Sequence, residues 1–362
     1  MDELTLLRTT RSDVPAPGAD VLNAGERALF EMIAAELEPA SRERTLKKRV
    51  VRWAGISLAG AGALAILLVA SNVLGLAGWR GSADPAAASA LNDAALATIS
   101  TADPAVAPGQ YLLVDTRTVG ASSTDGVSYL ASSDDQLYVP ADPSGDWIWD
   151  RSSSTPFQTF GEESARVAAA DLAARLAEWG DIRELLRAPE GRFYGSPSSV
   201  SEQALADLPR NPTQLLNYIY RVTLGTGQSP DGEALVFIAD KLRSGVIPAD
   251  LRAAFYRAAA LIPGVEIVEE QATLDGRTGV AIGRVETSSN MRQDIIIDPA
   301  TGALIGERQF QLDAGNGFPA GTIVGFTAVT TTVVDEAPAG GTLNGALDIM
   351  KCTPLGNGGF SC

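Results

Sequence analysis

Residues 51–80 read VRWAGISLAGAGALAILLVASNVLGLAGWR. Between Arg52 and Arg80 no side chain carries a charge, and the centre, ALAILLVA, is aliphatic or small throughout. About 20 such residues cross the hydrocarbon core of a bilayer at 1.5 Å per residue. A buried helix of a soluble core is usually shorter and keeps a polar face, whereas here only Ser57, Ser71 and Asn72 interrupt the run. Trp53 and Trp79 stand near its two ends, where indole rings favour the headgroup region. Residues 53–79 are therefore predicted to form a transmembrane helix. Secretion signals have a short basic lead and 7–15 apolar residues, whereas about 50 residues precede this run, which favours a retained anchor. The small residues of GSA just beyond it leave removal as the competing reading.

Charge on either side sets the orientation. Arg42, Arg44, Lys47, Lys48, Arg49 and Arg52 crowd the N-terminal flank, while the next basic residue after Arg80 is Arg117. The positive-inside rule then puts residues 1–52 in the cytoplasm and the rest outside, a single-pass topology in the plasma membrane. Up to Arg52 nine basic and nine acidic residues cancel, so the formal net charge of −16 lies wholly beyond it. An acidic body without clustered Lys and Arg is a poor partner for nucleic acid.

Within 1–52, Leu22, Leu29, Met32, Ile33 and Leu37 fall near the 3.6-residue period. Too little chain surrounds them to build a core. Two readings stay open: a helix docking on a cytoplasmic regulator, or a marginal helix lying against the membrane.

Residues 80–107 are Ala- and Pro-rich and read as a juxtamembrane linker with a short helix around Leu91–Ile99. From 108 to 337 the pattern is strands, then helices, then strands. QYLLVDTRTVG, VSYLASSDDQLYVPA and DWIWDRSSST alternate polar and apolar residues around turn clusters. EESARVAAADLAARLAEWG, DIRELLRAPEG, NPTQLLNYIYRVTLGTG, DGEALVFIADKLRSG and PADLRAAFYRAAALIPG read as helices with Asp or Asn starts and Gly or Pro stops. VEIVEEQATL, GVAIGRVET, RQDIIID, ALIGERQFQLD and TIVGFTAVTTTVVDE return to strands, with reversals at Asp275-Gly276 and Asp298–Gly302. This order predicts an α+β domain with a curved antiparallel sheet and helices on one face.

The chain contains no histidine, which excludes Ser-His-Asp, Cys-His and His-metal chemistry. No phosphate loop, G-x-S-x-G elbow or calcium loop is present. We therefore expect no catalytic residue, cofactor or metal, and a non-enzymatic protein. Trp147 and Trp149 lie two apart in DWIWD, on one face of a strand: core packing, or an aromatic ligand platform. Cys352 and Cys362 in the tail, 338–362, are close enough to close a Gly-rich loop by a disulfide in an oxidising compartment; two unpaired thiols is the other reading.

The stretches MDELTLLRTTRSDVPAPG, NPTQLLNYIY, LRAAFYRAAALIPGVEIV, DGRTGVAIGR and IIIDPATGALIGERQF, together with the span, resemble a family of actinobacterial single-pass membrane proteins often encoded beside extracytoplasmic-function sigma factors. The resemblance carries no catalytic residue, and it is the amphipathic segment joined by one span to a large exported body that points to an envelope protein contacting a regulator such as a sigma factor. In architecture alone the outer domain is similar to half-barrel lipoprotein-carrier and sigma-regulator domains. From this two functions follow as expectations: a binding or sensing domain in anti-sigma-like signalling, or a carrier of a lipid-like or peptide ligand.

Overall fold

The computed structural model describes residues 81–180, 183–195 and 198–344 and the short strands 353–355 and 359–361. The expected span, the helix of Leu22–Leu37 and both cysteines lie outside these residues. Among the described residues no helix is long and apolar enough to cross a membrane.

The chain enters through α1 (Pro85–Thr101), capped by Asp84, whose carboxylate accepts from the Ala86 amide at 2.9 Å with Pro85 in the first turn. A meander follows: β1 (Tyr111–Thr124), β2 (Val127–Pro140), β3 (Asp146–Ser152) and β4 (Thr155–Thr159). Then come α2 (Glu162–Trp179), β5 (Arg183–Pro189) and a helical group, α3 (Glu202–Ala206), α4 (Pro212–Val222), α5 (Pro230–Arg243) and α6 (Ala249–Ala259). Strands β6 (Val265–Leu274), β7 (Arg277–Glu286), β8 (Met291–Ile297), β9 (Leu304–Gln311) and β10 (Thr322–Val334) follow, then β11 (Thr342–Leu343). One sheet joins these strands in the order β11-β5-β3-β2-β1-β10-β9-β8-β7-β6, with β4 paired to β2. Every pairing is antiparallel except β11 on β5. Strands β12 (Thr353–Leu355) and β13 (Gly359–Ser361) form a separate pair.

The α+β class and the large curved sheet agree with the sequence reading, and three particulars differ. The segment expected to be a helix, DIRELLRAPEG, is strand β5, because β3 has an open edge and takes Arg183–Pro189 along seven registered positions. Residues 80–107 are more than a linker. Helix α1 is longer than expected and buries Ala87, Leu91, Ala94 and Ala95 in the main core, since an Ala-rich segment with a capped start continues as helix at little cost. The sheet also extends past 337 to β11.

Alternation along β7, β8 and β9 divides their side chains between two faces. Ile282, Ile295, Ile297 and Leu304 join α1, α4, α5 and α6 in one core, with Leu251, Phe255, Tyr256 and Ile262 fully buried at its centre. Ala281, Ile296 and Ile305 face the other way, with Ala272, Leu274 and Ala328. The sheet curls toward this second face. Arg117 on β1 reaches Asp275 of the β6–β7 turn at 3.6 Å, and Arg277 on β7 donates to the Val329 carbonyl on β10 at 2.6 Å. So tight is the curl that a Cβ on Gly306 would sit 2.6 Å from the Leu274 side chain and 2.2 Å from the Thr327 carbonyl. The hollow is thus filled by aliphatic side chains, and the helical group packs on the opposite face.

The β8–β9 turn anchors the helices. Gly302 (φ 69°) has a left-handed backbone, and a Cβ there would meet Thr98 at 2.2 Å. Its carbonyl accepts from the hydroxyls of Tyr256 (2.9 Å) and Thr98 (3.0 Å), joining α6 and α1 at one atom.

Candidate functional site

Between α5 and strands β8, β9, β10 and β1 lies a cleft of about 460 Å³. Val236, Met291, Phe318 and Val324 give it apolar walls, and Gly120 and Gly325 leave its floor without side chains. A Cβ on Gly120 would meet nothing within 4 Å, whereas one on Gly325 would touch the Val119 carbonyl at 3.4 Å, so the floor is open at Gly120.

Helix α5 sets the polar rim. Its start is fixed by Ser229, whose hydroxyl accepts from the Gly232 amide at 3.0 Å and donates to the Glu286 carboxylate on β7. Arg284 locks the same carboxylate at 2.9 Å and donates to the Pro263 carbonyl at 3.0 Å. Burial alone would raise the Glu286 pKa, yet the Ser229 and Arg284 hydrogen bonds hold it below the ordinary carboxylate range. With α5 pinned there, its later turns place Asp240 and Arg243 over β9.

Glu307 on β9 is the centre of the site. It is 9% exposed and lies on the helix-facing side of the strand, its Oε1 3.2 Å from Arg243 Nε. Gln293 on β8 donates to its other oxygen at 2.8 Å. Arg243 is shared, since Asp240 holds the same guanidinium at 2.8 Å and the Arg243 side chain is 39% exposed. Burial therefore outweighs the attraction of Arg243, Asp240 adds repulsion, and the Glu307 pKa is pushed up to about 7. The Gln293 Oε1 atom is buried without a hydrogen-bond partner. The cluster has more acceptors than donors.

On the opposite face of the same two strands stands a contrasting carboxylate. Asp294, wholly buried, takes Arg292 at 2.8 and 3.1 Å and Arg308 at 3.0 Å. Arg308 also holds Glu269 at 2.7 Å, and both guanidiniums stack on the Phe310 ring, at 4.3 and 4.9 Å from its centroid. Gly283 makes the room, because a Cβ there would lie 2.2 Å from the Asp294 carboxylate.

The two tryptophans stand elsewhere. By register Trp149 faces the same side as Leu137 and Val114, on a strand two places from β1 in the sheet. Trp147 is 3% exposed, donates to the Pro143 carbonyl at 2.9 Å, and packs so close to Gly191 that a Cβ would approach its ring to 2.6 Å. Trp149 is half-buried, edge-on to Phe193 at 5.3 Å with Arg151 stacked on it at 4.7 Å. Neither lines the cleft. Asp240, Arg243, Gln293 and Glu307 were not singled out from the sequence. GERQF reads as a strand, but its alternation does not say which face carries a helix.

No protein-family model, curated protein or solved structure matches this chain.

Proposed function

We propose that residues 81–344 form the binding or sensing domain of a single-pass membrane protein, held outside the cell by the apolar run 53–79. In this reading ligand occupancy is relayed to a cytoplasmic regulator, such as a sigma factor, through residues 1–52. The observation that carries the reading is the cleft under α5, roomy enough for a small ligand and built around a buried carboxyl that shares its one guanidinium with Asp240. Binding sites combine apolar walls with a few placed polar groups. We favour a sensor over a lipid carrier because the hollow of the sheet, where a lipid chain would need continuous apolar space, is occupied by Ala272, Leu274, Ala281, Ile296, Ile305 and Ala328.

The test is extraction of the full chain from its native membrane, followed by mass spectrometry of what travels with it. The wild type is expected to carry a small molecule that a Val236→Trp variant, with the cleft filled, has lost. Identical cargo in both, or none in either, overturns the cleft. For topology, a periplasm-dependent reporter enzyme is expected to be active when fused after residue 344 and silent when fused after residue 40.

A further inference from the structure

We infer that the cleft under α5 takes a small organic cation, an amine or amidine on an apolar body, and that Glu307 is its counter-ion. This rests on the cleft being the binding site. Two carboxylates, Asp240 and Glu307, share one Arg243 there. The other guanidinium of the lining, Arg308, is already matched by Asp294 and Glu269 on the far side of the strand. Strand β8 brings only the uncharged Gln293 against Glu307, and β10 only Thr327. The site is therefore one positive charge short.

A cation with N–H groups supplies that charge and donates to the Glu307 carboxylate, which lines the cleft. A bare metal ion does not fit, since among the described residues no group of three or more Asp, Glu or Cys is arranged to hold one. Val236, Met291, Phe318 and Val324 then receive the apolar body, and the open floor at Gly120 leaves room for a flat ring. Without the cation a proton takes its place on Glu307, so binding displaces that proton.

The test uses the full chain in nanodiscs with benzylamine and benzamidine as probes and benzyl alcohol and benzoate as neutral and anionic controls. Affinity is measured calorimetrically at pH 6 and pH 8. Both cations are expected to bind about tenfold more tightly at pH 8, because only the ionised fraction of Glu307 is competent. They should release protons on binding at pH 6, as seen by comparing buffers of different ionisation enthalpy. Glu307→Gln is expected to abolish the pH dependence and the proton release, while its unchanged melting cooperativity shows that the variant is folded. Binding of benzyl alcohol as tight as that of the amines, with no pH dependence, keeps the cleft and overturns the cation. Amine binding that survives Val236→Trp unchanged overturns the cleft as well. No binding of either amine at millimolar concentration overturns the assignment of ligand class.

Discussion

Asp294 and Glu307 stand on neighbouring strands of one sheet, both closed off from solvent, and the protein treats them in opposite ways. On the hollow face Asp294 receives two guanidiniums, which in turn stack on Phe310. On the helix face Glu307 receives part of one guanidinium and one amide N–H, beside a cleft. Buried charge is tolerated when it is paired and hydrogen-bonded, and otherwise the group takes up a proton. The first arrangement holds the curl of the sheet. The second leaves a vacancy in charge and donors beside a space that a ligand can enter.

The largest effect that separates the two faces is expected from Arg308→Met. It strips Asp294 of one of its two guanidiniums and leaves Glu269 without its partner, and breaking a buried ion pair costs about 3–5 kcal/mol. Urea unfolding should show that loss at neutral pH, and a loss below 1 kcal/mol would mean that the hollow face is as adaptable as the cleft.

Next is the pH response of Glu307. Its folded value, about 7, lies above the ordinary 4.5, so the folded protein binds more protons than the unfolded one between those limits. Stability is then expected to fall as pH rises from about 4.5 through 7, by up to ~3 kcal/mol. Glu307→Gln should flatten that part of the profile, and wild-type and variant profiles of the same slope would refute the contrast between the two carboxyls.

Phe310→Leu removes the ring between Arg292 and Arg308 and should lower stability by about 1–2 kcal/mol without altering the pH slope. A change of slope there would mean that the two faces are electrostatically coupled. The smallest effect, about 1 kcal/mol, is expected for Tyr256→Phe, which deletes one of the two hydroxyls on the Gly302 carbonyl. As a helix-face variant with no titrating group, it should shift the thermal midpoint equally at pH 5 and pH 8.

The order of strands and helices was readable because turns and caps are local. Asp275-Gly276 sits at φ 47° and 77° as its hairpin requires, and Asn211 and Ser229 cap α4 and α5. Strand β5 was misread because Leu185 and Leu186 in a seven-residue strand fit either period, and its partner β3 lies some thirty residues away. The site was hidden for a different reason. In β9 Leu304 to Arg308 are all buried, so both faces are covered and alternation no longer separates inside from outside. Glu307 and Arg308 are adjacent charged residues in one strand, and only the register with β8 and the position of α5 assign them to opposite faces.

The Gly302 carbonyl has a mechanical consequence. Helix α1 is the first described element after the apolar run in sequence, and its Thr98 shares that oxygen with Tyr256 of α6, the helix at the centre of the core. Tension along the chain entering from the N-terminal side is met first by the Ala83 and Asp84 amides, bonded to the Ala260 and Val265 carbonyls, then by the buried face of α1, and last by Thr98 on the Gly302 oxygen. A pull that loosens the buried face of α1 and withdraws Thr98 still leaves Tyr256 attached, so the turn that joins β8 to β9, the strands of Gln293 and Glu307, keeps its second tether.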